Sequence, residues 1–126
     1  MSSYQEKFWK GKFGKKYSLR HKNYKKNFLK TIINKKIRIK SVFEFGTNVG
    51  NNLDLIKSLN KKIITAGVEI NEFASKQASK KGHTIINNSI LKLNENKLPK
   101  YDLTMSIGVL IHINPKSLKK VYSKIY

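Results

Sequence analysis

Residues 42–52 read Val42-Phe43-Glu44-Phe45-Gly46-Thr47-Asn48-Val49-Gly50-Asn51-Asn52, an apolar run closed by an acid and two spaced glycines. β-Branched and aromatic residues favour an extended chain and glycine permits a sharp reversal, so the stretch predicts a strand that turns directly into a helix. About twenty residues further on, Ala66-Gly67-Val68-Glu69-Ile70 ends a second apolar run in another carboxylate, where nucleotide-binding α/β folds grip ribose hydroxyls. Together the two segments predict a nucleotide-like ligand at the ends of two strands. Taken alone, Gly46 and Gly50 would equally serve a tight βα turn and close helix packing.

The loop departs from the dinucleotide fingerprint. Asn48 stands where the second glycine would let backbone approach a pyrophosphate. A phosphate-free ligand fits better, and a Glu-x-Gly-x-x-x-Gly loop can face the methionine part of S-adenosyl-L-methionine (SAM), with the free N–H groups of the following helix near its carboxylate. Glu44 would add negative potential near a cationic ligand.

The length of 126 residues suits a single domain, short for a complete doubly wound enzyme. No cysteine is present, which excludes disulfides, thiolate metal sites and cysteine nucleophiles. His21, His83 and His112 are not at metal-ligand spacing, so no metal is expected. No apolar stretch approaches the roughly 20 residues of a membrane span, and the lysine-rich start lacks the apolar core of a secretory signal. A cytoplasmic protein with no membrane partner is expected.

Charge is unevenly placed. Of 27 Lys and Arg, fourteen lie in residues 1–40 beside the single acid Glu6, while residues 41–126 carry thirteen against six acids. Residues 1–40 therefore read as a basic helical arm or lid, and residues 41–126 as the core. Lys, Asn and Ile share A/T-rich codons, which accounts for part of the charge, yet Glu is scarce as well. An anionic partner such as nucleic acid or a nucleotide-linked sugar stays open. Glu44, Glu69 and Asp102 all fall at or beside predicted strand ends and read as functional.

Tyr24, Phe28, Leu29, Ile32 and Ile33 recur at helical spacing and predict an amphipathic helix over 22–36. Strands are expected at about 41–46, 62–69, 83–87 and 101–107, with helices after the first two. Asn114 and Pro115 cap a last helix with Leu118, Val121, Tyr122 and Ile125 on one face. Alternating strands and helices predict an α/β fold: a Rossmann-like parallel sheet of about four strands with helices on both faces, behind the basic N-terminal segment.

These motifs, with Gly67-Val68-Glu69-Ile70-Asn71, Tyr101-Asp102-Leu103 and Gly108-Val109-Leu110-Ile111-His112-Ile113-Asn114-Pro115, resemble class I SAM-dependent methyltransferases. Phe8-Trp9-Lys10-Gly11-Lys12-Phe13-Gly14-Lys15-Lys16-Tyr17 and Arg20 further resemble the pseudaminic acid biosynthesis-associated methylases, in a C-terminally shortened form. The resemblance implies SAM or S-adenosylhomocysteine (SAH) bound at the carboxyl ends of the strands. Glu44, Gly46, Thr47, Asn48, Gly50, Asn51 and Asn52 would form the loop wall, with Glu69 and Ile70 at the ribose. Ser89 and Ile90 would lie beside the adenine, with Ser106 and Gly108 beneath. Lys92 stands near where many relatives bring an acid. Relatives are far less basic and continue with further strands.

Methyl transfer from a sulfonium needs few protein groups beyond alignment and exclusion of water. Past the fourth strand, His112 can serve as the base for a hydroxyl or amine acceptor, or only pack the next helix. Trp9, Phe13 and Tyr17 form a lid, stack on an acceptor, or pack on the core. Arg20 and His21 either bind an acceptor carboxylate or phosphate or are solvated. Asp102 either anchors strand four or acts in catalysis. Three functions compete: methyl transfer to an O or N acceptor on a sugar or other small molecule, methyl transfer to RNA or other nucleic acid, and SAM binding or degradation without transfer. An uncovered edge at strand four, next to strand one, predicts a homodimer or higher homo-oligomer.

Overall fold

A computed structural model describes residues 3–20, 26–33 and 38–126. Strands β1 (Ser41–Phe45), β2 (Ile64–Glu69), β3 (Thr84–Asn87) and β4 (Leu103–Met105) form one parallel sheet in the order β3-β2-β1-β4. Glu44 pairs with Gly67 on one side and Met105 on the other, and Glu69 pairs with Asn87, so the carboxyl ends align along one rim. The chain steps from β1 to β3 in one direction and returns to the far side of β1 for β4. That reversal leaves a crevice above β1 and β4, where open α/β sheets bind ligands.

β1 is buried on both faces, which explains its nearly continuous apolar sequence. Val42 packs with Leu29, Leu53, Ile56 and Ile63 on one face. Phe43 and Phe45 pack with Ala66, Val68 and Leu93 on the other. The first face is covered by α3 (Lys26–Ile33) and α4 (Asn51–Leu59), while α5 (Glu72–Lys80) packs on β2 and β3. The second face receives the short turn Ile90–Lys92 and α6 (Leu118–Ile125). α1 (Tyr4–Lys10) and α2 (Lys12–Arg20) form a separate hairpin that meets α5.

Of the helix predicted over 22–36, residues 26–33 are described and form α3, with Leu29 buried and Phe28 exposed; the rest of that stretch, Tyr24 included, and His21 lie outside the described residues. β4 is three residues long rather than seven, because pairing with β1 ends at Met105 and the chain then turns at Gly108, whose φ is +71°. The final helix buries part of the face expected to carry Leu118, Val121, Tyr122 and Ile125. The turn Pro115–Ser117, capped by the Asn114 side chain, aims Val121 into the interior and leaves only Tyr122 of the four strongly exposed. Thr104 Oγ1 on β4 donates to Ile125 O at 2.8 Å, so α6 ends against β4.

Candidate functional site

The loop after β1 is built by alternate left-handed residues: φ is +81° at Gly46, +53° at Asn48 and +84° at Gly50. Asparagine tolerates this region better than other non-glycine residues, which accounts for Asn48 at the middle position. Glycine is required at Gly46, where a Cβ would stand 2.4 Å from Val109 Cγ2. The loop therefore presses against the segment that follows β4.

Glu69 ties this loop to the end of β2. Its Oε2 accepts from Asn48 N at 2.7 Å and its Oε1 accepts from Asn71 N at 2.8 Å. Burial pushes the Glu69 carboxyl above the ordinary range, and the N–H groups of Asn71, Asn48 and Ile70 pull it partly back. Each ionised oxygen has lone-pair capacity for a further donor, as a ribose diol would supply.

These elements wall one cavity over the rim of the sheet. Gly46, Thr47, Asn48, Asn51, Asn52, Glu69, Ile70, Ser89, Ile90, Gly108 and His112, all expected at the site, line it. Glu44, Gly50 and Ser106 do not. Glu44 is fully buried, accepting from Asn52 Nδ2 at 2.7 Å beneath the loop. Gly50 faces His83 and Ala78, and Ser106 Oγ donates weakly to Phe45 O at 3.4 Å. These three shape the cavity from behind.

The α1–α2 hairpin roofs the cavity. Trp9 and Tyr17 line it, with ring centroids 5.0 Å apart, and Trp9 lies 4.5 Å from the His112 ring. Phe13 stacks on Phe8 at 4.3 Å, is partly exposed and stays outside. The side chain of Arg20 lies outside the described residues.

Two residues that sequence reading passed over hold the roof. Asn71 accepts from Ala74 N through Oδ1, capping α5, while its Nδ2 donates to Trp9 O at 3.0 Å and Lys10 O at 3.2 Å at the end of α1. Glu6 closes a capping box with Ser3 and accepts from Ser89 Oγ, across the cavity wall. Burial raises the Glu6 pKa, but the Ser89 hydroxyl, the Ser3 N–H and the charge of Lys92 outweigh it and leave the group below its ordinary range. The available signals were Asn71 in a helix-start position and Glu6 as the lone acid of the basic arm.

His83 proves to be structural. Buried behind Gly50, it joins Thr65 Oγ1 (2.7 Å from Nδ1) to Asp54 Oδ1 (2.8 Å from Nε2), and Asp54 also pairs with Lys81 at 2.7 Å. Asp102 likewise serves the fold: its Oδ2 accepts from Lys40 N at 2.7 Å and Ser41 N at 3.2 Å, at the amino end of the sheet away from the cavity.

The cavity wall contains no lysine or arginine among the described residues, in a chain that has 27. Phosphate groups are held by cationic side chains or clustered N–H groups, so a wall whose charged members are Glu6 and Glu69 disfavours a phosphorylated ligand and suits a cation.

No protein-family model matches the sequence, and a search of curated proteins finds no match. Solved structures do match in fold. The magnesium protoporphyrin IX methyltransferase of Synechocystis, with bound SAM, superposes with a TM-score of 0.70 at 13% identity, covering 98% of this chain and 71% of that one. The plantazolicin methyltransferase BpumL, in complex with a monoazolic desmethylPZN analog and SAH, gives 0.74 at 17% identity, covering 95% and 52%. A sugar N-methyltransferase of Streptoalloteichus gives 0.71 at 12% identity, covering 91% and 48%. The chain thus has the Rossmann-like fold of these methyltransferases, and spans about half the length of the last two.

Proposed function

We propose that this chain is a SAM-dependent methyltransferase acting on an O or N acceptor carried by a sugar or other small molecule. The observation that carries the proposal is the cavity itself: a left-handed glycine loop, a buried carboxylate at the end of β2 and a wall with no lysine or arginine among the described residues, in a fold shared with proteins solved with SAM or SAH. The N-terminal motif around Trp9 supports the narrower affinity with the pseudaminic acid-associated methylases.

SAM would bring the electrophilic methyl group, leaving alignment, desolvation and proton handling to the protein. Glu69 would take the ribose hydroxyls, Gly46 to Asn52 and Gly108 would pack against the ligand, and the α1–α2 roof would exclude water. His112 would accept the acceptor's proton, with Trp9 against its ring to fix its orientation. A nucleobase in a duplex would have to be extruded beneath this roof, whereas a small acceptor need only slide beside Trp9.

The test is incubation of purified protein with methyl-labelled SAM and separate pools of sugar nucleotides, other small metabolites, RNA, DNA and protein. Label is expected in a small-molecule pool, and His112→Ala should lose transfer while SAH still binds. Label confined to RNA would move the function to the nucleic-acid alternative. Conversion of SAM with no pool labelled would identify a SAM-degrading protein.

A further inference from the structure

Glu6 lies 83 residues from Ser89 in sequence, yet its Oε1 accepts the Ser89 hydroxyl, and both side chains line the cavity. The sheet order places the partners. With the glycine loop above β1 and Glu69 at the end of β2, an adenosyl ligand laid along the rim must put its base at the end of β3, where Ser89, Ile90 and Leu91 line the wall. That wall carries no acid of its own. The carboxylate arrives from the roof instead, on the first helix of the hairpin.

We propose that Glu6 is a cofactor-specificity residue, accepting a hydrogen bond from the exocyclic amine of adenine and so coupling roof closure to recognition of the base. This rests on the SAM reading of the same cavity. The Ser3 N–H holds Oε2 at 2.8 Å, which aims the carboxylate. Its depressed pKa keeps it ionised, an acceptor with lone pairs beyond those used by Ser3 and Ser89. A carboxylate accepts from the 6-amino group of adenine and repels the 6-keto oxygen of a hypoxanthine base. Sites built to hydrogen-bond one such group reject the analogue lacking it far more strongly than shape alone can.

Calorimetry with SAH and its deaminated counterpart S-inosylhomocysteine tests the assignment. The wild-type protein should prefer the adenosyl ligand by about tenfold or more, the magnitude of one hydrogen bond to a charged group. Glu6→Ala should bring the two ligands within about twofold by weakening the adenosyl one. Glu6→Gln retains the capping-box geometry and offers an amide donor to the 6-keto oxygen, so it should favour the inosyl ligand. If both variants weaken both ligands equally, Glu6 acts only through the helix cap and the assignment falls. Binding of neither ligand by the wild-type protein would overturn the SAM reading and this assignment with it. Binding of SAH by the wild type with unchanged discrimination in the variants would overturn this assignment alone.

Discussion

Glu69 and Asp102 look alike in the sequence, each an acid at the boundary of a strand, and the fold sends them to opposite ends of the sheet. Glu69 closes β2 at the carboxyl rim, is buried, and accepts from the N–H groups of Asn48 and Asn71 inside the cavity wall. Asp102 precedes β4 at the amino rim, is exposed, and accepts from Lys40 N and Ser41 N to join β4 to β1. In a parallel sheet all ligand chemistry gathers at one rim, so which end of a strand an acid occupies decides between a binding role and a structural one.

The largest expected effect comes from removing the rim acid. Glu69→Ala should weaken SAH binding by roughly 1.5–3 kcal/mol, tenfold or more, because hydrogen bonds to a charged group are lost in a partly desolvated site. The loop anchor to Asn48 N is lost as well, so the variant should also melt earlier. Calorimetry and a thermal melt on the same sample separate the two contributions. Unchanged SAH affinity would break the contrast at its functional end.

Much of this contrast was legible in the chain. The glycine loop, the distance to Glu69 and the alternation of strands and helices follow from hydrophobic runs and turn residues, which act locally, whereas the position of β4 beside β1 was expected only from the resemblance to the methyltransferase fold. Asp102 was harder to place because β4 is three residues long, too short for periodicity to say where it starts. Glu6 as the lone acid of the basic arm and Asn71 at a helix start were visible, but their partners were not. Each gains its role by meeting a segment more than 60 residues away, and no local pattern records such a meeting. Gly14 shows the same limit: a Cβ there would stand 1.8 Å from Trp9 O, a close approach of α1 and α2 visible only once the hairpin is folded.

A smaller effect is expected at the structural acid. Asp102→Ala removes the acceptor for two N–H groups, but at an exposed site where water can replace it, so the stability loss should be about 0.5–1.5 kcal/mol. SAH affinity should stay within about twofold of the wild type, since only the amino rim is touched. Denaturant melts alongside calorimetry check both. A tenfold loss of SAH affinity in this variant would show that the two rims are coupled through β4 and β1.

The smallest effect sharpens what burial does to Glu69. Its pKa is raised chiefly by desolvation, so the folded state holds the proton more tightly than the unfolded chain does. The sign follows from linkage: this group's contribution to stability is fully present below the ordinary glutamate range and is lost as pH rises through the raised pKa. Glu69→Gln cannot ionise and lacks that slope. Melts of wild type and variant across this window should therefore show the difference in stability drifting in favour of the variant as pH rises, even if the variant starts lower through imperfect acceptance from Asn48 N and Asn71 N. A drift in the opposite direction would mean that the N–H groups of Asn71, Asn48 and Ile70 together outweigh desolvation, making Glu69 a better anion site than its burial implies.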